Sequence, residues 1–254
     1  MSDALKAILR EIGDVAIAVS GGVDSMTLAY LATESGARVE MFHAVSPAVP
    51  EAATARVQTH AASAGWRLHV IGAGEFDDPE YLKNPVNRCY FCKSNLYTRI
   101  RTATESVICS GANTGDLGDY RPGLGAAAEK GVRHPFIEAG IDKPAIRAMA
   151  AERGLADLAD LPAQPCLASR VETGIAISAD DLALVDAVET RLAQRLGAGD
   201  IRCRVTHAGV KVELPAAALD ADLADIAAMV RETGRVFVGA APYRRGSAFL
   251  RDAS

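Results

Sequence analysis

Hydrophobic and polar positions alternate between two periods along the chain. Residues 15–19, Val-Ala-Ile-Ala-Val, form a short apolar run that stops at Ser-Gly-Gly. Runs of this length bounded by turn residues read as buried strands. Helical spacing follows over 24–33. The same reading predicts strands over 38–43, 67–71, 106–110 and 133–136, with helices over 50–64, 92–104 and 143–153 between or after them. Residues 1–11 read as the start of an amphipathic helix. Strands that alternate with helices build a parallel sheet covered on both faces, so the fold class expected is α/β.

The tail has a different rhythm. Residues 178–196 place Leu182, Val185, Val188 and Leu192 on one helical face. Strands are expected over 201–205 and 210–214, joined as a hairpin, then a helix over 215–232 and a strand over 235–238. This suggests a smaller α+β domain, with the chain divided into 1–172 and 173–254.

Composition narrows the function classes. Hydrophobic residues make up 49% and charged residues 23% of 254, ordinary for a globular protein, and the formal net charge is -5. An acidic chain argues against nucleic acid as partner. No apolar stretch is long enough to span a bilayer, and the first residues lack the apolar core of a signal peptide, so the expected location is the cytoplasm.

The first chemical signal is the turn after the first strand, Ser20-Gly21-Gly22-Val23-Asp24-Ser25. Glycines let the main chain approach a phosphate closely, and the following helix points its free N–H groups at the same place. Ser20 and Ser25 add hydroxyls, and Asp24 suits Mg²⁺. A Walker A loop would end in Gly-Lys-Ser/Thr; this one does not, which turns the reading away from γ-phosphate transfer. The six residues match the signature of the PP-loop ATP pyrophosphatases, which cleave ATP to AMP and pyrophosphate. The end of the second strand, His43-Ala44-Val45, offers a place for adenine, while His43 also suits a purely structural role. A second loop, residues 111–123, leaves the fourth strand at the same edge, and its Asn113 and Arg121 are candidate ligand contacts.

Five cysteines form the second signal. Cys89 and Cys92 are spaced to share one helical face beside Arg88 and Lys93, surroundings that favour thiolate. Cys166 lies in a non-helical segment next to Arg170. Three thiolates suit three irons of a cubane cluster; the alternative is a redox or inert CxxC with an unrelated Cys166. Cys109 and Cys203 lie within strands and read as small core residues. Arg202 and Arg204 alternate with Cys203 and so share the outward strand face, as a phosphate clamp or as a solvated pair.

Together these motifs resemble the LarE family, ATP-dependent sulfur transferases of nickel-pincer cofactor synthesis. The resemblance rests on Ser20 to Ser25, on Asn87-Arg88-Cys89-Tyr90-Phe91-Cys92-Lys93, on Gly118-Asp119-Tyr120-Arg121-Pro122-Gly123, on Cys166-Leu167-Ala168-Ser169-Arg170 and on Arg202-x-Arg204. It implies a Rossmann-like sheet of the PP-loop ATP pyrophosphatase type. It also implies adenylylation of a carboxylate of a pyridinium dicarboxylic acid mononucleotide, followed by insertion of sulfur to give a thiocarboxylate. On this resemblance Ser20, Gly21, Gly22, Asp24, Ser25, Ala44, Asn113 and Arg121 belong to the ATP and Mg²⁺ site, and Arg202 and Arg204 hold the substrate phosphate. Cys89, Cys92 and Cys166 carry a 4Fe-4S cluster, with Cys166 and Asp24 catalytic. Members with only the cysteine matching Cys166 give up its own sulfur instead. Self-association is implied by resemblance alone. Two departures stand out: Val171-Glu172-Thr173-Gly174 replaces the family's Ile-Pro-Tyr-Gly, and Ala240-Ala241-Pro242-Tyr243-Arg244 keeps the Tyr-Arg but not the family's glycine before it. A tRNA thiolase of the same superfamily and a non-catalytic ATP sensor are the competing readings.

Overall fold

A computed structural model of the chain describes residues 3–118, 120–197, 199–244 and 247. Its contacts group into two units. The first comprises residues 1–77 and 89–164; the second comprises residues 78–88 and 165–254.

The first unit is built on a four-stranded parallel sheet, β1 (Asp14–Ala18), β2 (Arg38–Val45), β3 (Leu68–Gly72) and β4 (Val107–Cys109), in the order β3-β2-β1-β4. Its helices are α1 (Asp3–Ile12), α2 (Val23–Ser35), α3 (Glu51–Ala64), α5 (Arg88–Arg101, all but its first residue), α6 (Pro122–Glu129), α7 (Pro135–Glu138), α8 (Lys143–Ala151) and α9 (Ala156–Ala159); the short α4 (Pro79–Leu82) belongs to the second unit. Alternate strand residues face opposite sides of a sheet. Val15, Ile17 and Met41 therefore join α1, α2, α3 and α8 in one core, while Ala16, Phe42 and Ile108 join Leu96, Tyr97 and Ile100 of α5 in the other. Helix α2 is buried nearly all round, with Met26, Leu28, Leu31 and Ala32 fully enclosed. Such a helix is central, not superficial, and its N-terminus is accordingly fixed.

This is a Rossmann-like arrangement. The chain runs from β1 outward through β2 to β3, then returns to place β4 on the other side of β1. The winding reverses between β1 and β4, so the loops after these two strands are neighbours at the carboxyl edge.

The second unit carries a three-stranded sheet, β5 (Arg202–Thr206), β6 (Gly209–Leu214) and β7 (Phe237–Pro242), in the order β5-β6-β7. The hairpin is antiparallel, and β7 joins β6 in parallel. Helices α10 (Ala179–Leu196) and α11 (Ala224–Glu232) belong to this unit, and α10 packs on β5. Residues 78–88 are tied in by Asn84, whose side-chain amide donates to the carbonyls of Glu172 and Ile175 at 2.9 Å each. Asn84 adopts a left-handed φ of 53°, which asparagine tolerates better than most side chains.

Three expected elements differ. The strand over 133–136 shrinks to one bridge between Cys109 and Arg133, because Pro135 has no N–H for a ladder and opens α7 instead. The helix over 215–232 is broken. A single 3₁₀ turn spans Ala216–Ala218, and α11 starts afresh at Ala224, whose amide is received by the Asp222 side chain at 2.9 Å. The last strand runs over Phe237–Pro242 and not over 235–238. Among the described residues no helix is long and apolar enough to cross a membrane.

Candidate active site

The turn after β1 leads straight into α2. Gly22 stands at the N-cap and supplies no side-chain oxygen, so the first-turn amides of α2 have no side-chain cap. Side-chain caps are present on some helices, with Asp142 accepting from Ala145 N in α8 and Ser178 from Asp181 N in α10, and absent from α3, α6, α7, α9 and α11. The first-turn amides of α2 are therefore open to an acceptor.

The loop is held from several sides. Ser25 Oγ receives the Ser20 amide at 3.0 Å, lies 3.1 Å from Ser20 Oγ and donates to Gly22 O at 3.3 Å. Arg56 of α3 donates to Gly21 O at 2.9 Å. Two glycines are sterically required. Gly21 has φ +79°, and a Cβ there would lie 2.7 Å from Ala53 O. A Cβ on Gly111 would lie 2.6 Å from Ser25 N and 2.8 Å from the Asp24 carbonyl carbon. Gly111 follows β4, so the second loop is seated directly on the start of α2.

Asp24, in the first turn of α2, accepts a hydrogen bond from Lys143 Nζ on Oδ2 at 2.8 Å. Its other oxygen, Oδ1, is buried and has no hydrogen-bond partner. An orphaned carboxylate oxygen beside a phosphate-type loop is the chemistry a hard cation such as Mg²⁺ takes.

His43 is 1% exposed and satisfied at both ring nitrogens, Nδ1 at 2.9 Å from Val19 O and Nε2 at 2.9 Å from Thr54 Oγ1. Burial lowers its pKa, with the Val19 carbonyl opposing, so the neutral ring ties the loop to α3. Of its two readings, the structural one is the one seen. Ala44 follows on β2, paired with Ile71. A cleft of about 460 Å³ opens beyond it, lined by Val45, Ser46, Val49, Glu51, Thr54 and Gln58 among others.

In the loop after β4, Asn113 is buried and caps a short turn, accepting from Gly115 N at 3.0 Å, and Arg121 pairs with Asp116 at 3.0 Å. Asp119 of the family-like motif lies outside the described residues. Ser110 Oγ stands 2.8 Å from His134 Nδ1, and burial lowers the His134 pKa, partly offset by Glu138 and Asp116.

Cys89 and Cys92 lie half-buried in the first turns of α5, in the first unit. Cys166 is exposed and belongs to the second unit. Among the described residues no group of three or more His, Cys, Asp or Glu is arranged to hold a metal ion. Cys109 and Cys203 are both fully buried, and burial is the main cause that raises both thiols, Cys109 to about 12.

The second unit holds a buried arginine cluster that the strand pattern misjudged. Arg202 and Arg204 are not on a solvated face: they are 7% and 4% exposed. One face of β5 is covered by α10. On the other, Arg204 donates to Glu213 at 3.0 Å, to Ser169 O at 3.1 Å and to Arg244 O at 3.4 Å. Arg202 donates to Ile201 O at 2.7 Å, and its guanidinium lies 5.4 Å from the Tyr243 ring centre. Burial lowers its pKa, and the neighbouring Arg170 lowers it further.

Glu189 was not picked out from sequence, and Arg170 only as a neighbour of Cys166. Arg170 forms a two-pronged pair with Glu189 at 2.9 and 2.8 Å. It also donates to the carbonyls of Pro165 and Cys166 at 2.7 and 3.2 Å, so it fixes the main chain that presents Cys166. A signal for Glu189 was present: it sits four residues after Val185 and three before Leu192, an acid inside the apolar stripe of α10. Lys143 and Arg56 had no comparable signal, because their partners lie 119 and 35 residues away.

The chain was compared with known proteins. It is 36% identical over 216 residues to an uncharacterized protein of Synechocystis sp. PCC 6803, covering 83% of this chain and 80% of that one. It is 30% identical over 179 residues to an uncharacterized protein of Methanocaldococcus jannaschii, covering 69% and 68%. It is 28% identical over 219 residues, 84% of this chain and 79% of the relative, to the pyridinium-3,5-bisthiocarboxylic acid mononucleotide synthase of Lactiplantibacillus plantarum. The chain belongs to the LarE family. No protein-family model matches it. The motifs that suggested the LarE family from sequence alone fall in both units: Ser20 to Ser25 on the loop between β1 and α2, Cys166 to Arg170 on the segment that Arg170 pins.

Proposed function

We propose that this LarE-family chain is an ATP-dependent sulfur transferase of the PP-loop type, adenylylating a substrate carboxylate and converting it to a thiocarboxylate. The observation that carries the ATP part is the uncapped N-terminus of α2, with Gly21 and Gly111 leaving no room for side chains around it. The name of the L. plantarum relative supports a pyridinium dicarboxylate mononucleotide as substrate.

In this reading the main-chain amides of α2 and the hydroxyls of Ser20 and Ser25 bind the phosphates, and Asp24 offers its orphaned oxygen to Mg²⁺. Adenine lies along Ala44 at the mouth of the adjoining cleft, and Asn113 and Arg121 contact the nucleotide. The substrate carboxylate attacks the α-phosphorus, and the bond to the bridging oxygen breaks with its electron pair on the departing pyrophosphate. A sulfur nucleophile then displaces AMP. Arg202 receives the substrate phosphate. Arg204, tied to Glu213, holds the floor of that site.

The thiols divide by chemistry into an accessible set, Cys89, Cys92 and Cys166, and two buried cysteines. By the family resemblance, Cys89, Cys92 and Cys166 would hold a 4Fe-4S cluster, whose three protein ligands would leave one iron open.

Two experiments test the proposal. Asp24→Ala and Ser25→Ala should each cut pyrophosphate release by about tenfold or more, the loss of a charged hydrogen bond, with the circular dichroism spectrum unchanged. Unchanged release in both would remove the loop from the ATP site. Anaerobic reconstitution should give a broad visible absorption that any one of Cys89→Ala, Cys92→Ala or Cys166→Ala abolishes and Cys109→Ala keeps. A single turnover without iron that leaves Cys166 lighter by hydrogen sulfide would replace the cluster with a sacrificial cysteine.

A further inference from the structure

Lys143 is the first residue of α8, and its ammonium reaches the first turn of α2. A lysine at a helix N-terminus opposes the dipole. Two carboxylates offset this: Asp24, through the 2.8 Å bond to its Oδ2, and Asp142, the residue before Lys143. The other two N–H bonds of the ammonium have no protein acceptor among the described residues, and the side chain is 40% exposed. The backbone beneath it is rigid. Asp142 caps α8 through Ala145 N at 2.9 Å, Ile146 and Met149 lie in the core, and α8 packs on α2. The uncapped first turn of α2, an ammonium with donors to spare and a glycine cradle thus meet at one point, an arrangement that suits more than one phosphoryl group.

We infer that Lys143 is the residue that binds the departing pyrophosphate. This rests on the ATP reading of the loop and adds a residue to it. As the carboxylate oxygen bonds to the α-phosphorus, the electron pair of the breaking bond moves onto the bridging oxygen of pyrophosphate. The Lys143 ammonium donates a hydrogen bond to that developing charge. Asp24 orients the ammonium before the nucleotide arrives, which makes Asp24 the positioning partner of Lys143 as well as a candidate for Mg²⁺.

The test is binding, read apart from turnover. Inorganic pyrophosphate with Mg²⁺, and AMP separately, are titrated calorimetrically into the parent chain, Lys143→Met and Lys143→Arg. Lys143→Met should weaken pyrophosphate by about tenfold to a hundredfold, as expected for one charged hydrogen bond, and leave AMP within about twofold. Lys143→Arg should recover part of the loss. The thermal midpoint of Lys143→Met without ligand should stay near the parent's, because the pair with Asp24 is partly exposed and such pairs contribute little. Equal pyrophosphate affinity in Lys143→Met and the parent, while the parent binds both ligands, overturns this inference and leaves the ATP reading intact. A parallel loss of both ligands with a lowered midpoint also overturns it, making the pair a structural clamp. A parent that binds neither ligand and releases no pyrophosphate from ATP overturns the ATP reading and this inference together.

Discussion

The two regions proposed to bind phosphate are made in opposite ways. The loop between β1 and α2 uses main-chain amides, with glycines at the tight contacts and an Asp24–Lys143 pair at its rim. The cluster in the second unit is made of side chains: three arginines, each no more than 7% exposed, of which Arg170 pairs with Glu189 and Arg204 with Glu213. In the first region the charge comes from backbone dipoles and involves little burial of ions. In the second, buried guanidiniums need their carboxylates, since a desolvated charge left alone is costly. The first region should therefore tolerate loss of its charges and be intolerant of added volume, whereas the second should behave the other way round.

Four measurements would sharpen or break that contrast. The largest effect is expected from Glu213→Ala. Glu213 is 1% exposed, and its carboxylate receives Arg204 at 3.0 Å and Ser247 at 2.6 Å. Its removal strands Arg204 and should cost about 3–5 kcal/mol in denaturant unfolding; a loss below about 1 kcal/mol would mean that the cluster is not held by its ion pairs. Next comes Gly111→Ala. A methyl group 2.6 Å from Ser25 N forces the second loop off α2, so stability should drop by about 1–3 kcal/mol and pyrophosphate release should fall with it. A variant as stable and active as the parent would show that the loop is not seated on α2.

The third effect is alkaline and touches both units. Burial raises the Cys109 thiol from 9.0 to about 12 and raises Cys203 too. Below pH 9 these thiols are protonated in folded and unfolded chains alike, so their contribution to stability is fully present. Above it the unfolded chain ionises while the buried thiol does not, and stability is lost as pH rises towards about 12. Each cysteine should contribute a slope of up to about 1.4 kcal/mol per pH unit. Cys109→Ala should remove one share of that slope, and an unchanged slope would place the ionising groups elsewhere. The smallest effect is the control. Gly125 lies in α6, exposed and with nothing within 4 Å of an added Cβ, so Gly125→Ala should stabilise by about 0.5–1 kcal/mol. The opposite sign from Gly111→Ala would attribute that loss to the contact and not to the change of residue type.

The same contrast explains what was legible. The alternation of apolar runs and helical spacing located β1 to β4, α2, α3, α8 and α10 to within a few residues, because burial of one face imposes a period on the residues that bury it. The expected strand over 133–136 failed at Pro135, where one missing N–H outweighed an apolar neighbourhood. The β5 arginines were assigned the right faces and the wrong environment. Alternation separates Cys203 from Arg202 and Arg204, but it does not reveal that Ser169, Glu213 and Arg244 cover the arginine side.

By itself, the sequence determined the class of sheet, the glycine-bearing turn after its first strand, the burial of Cys109 and Cys203, and the resemblance that led to the LarE family. These are properties of contiguous residues: a period, a glycine pair, a spacing of three. Only the tertiary structure decided that Gly111 backs Ser25, that Lys143 faces Asp24, that Arg170 pins the main chain of Cys166 and that the β5 arginines are buried ion-pair partners. Each of those contacts joins residues far apart in the chain. Local propensity carries no information about such a pair, since the partner is chosen by how packed elements bring distant side chains together.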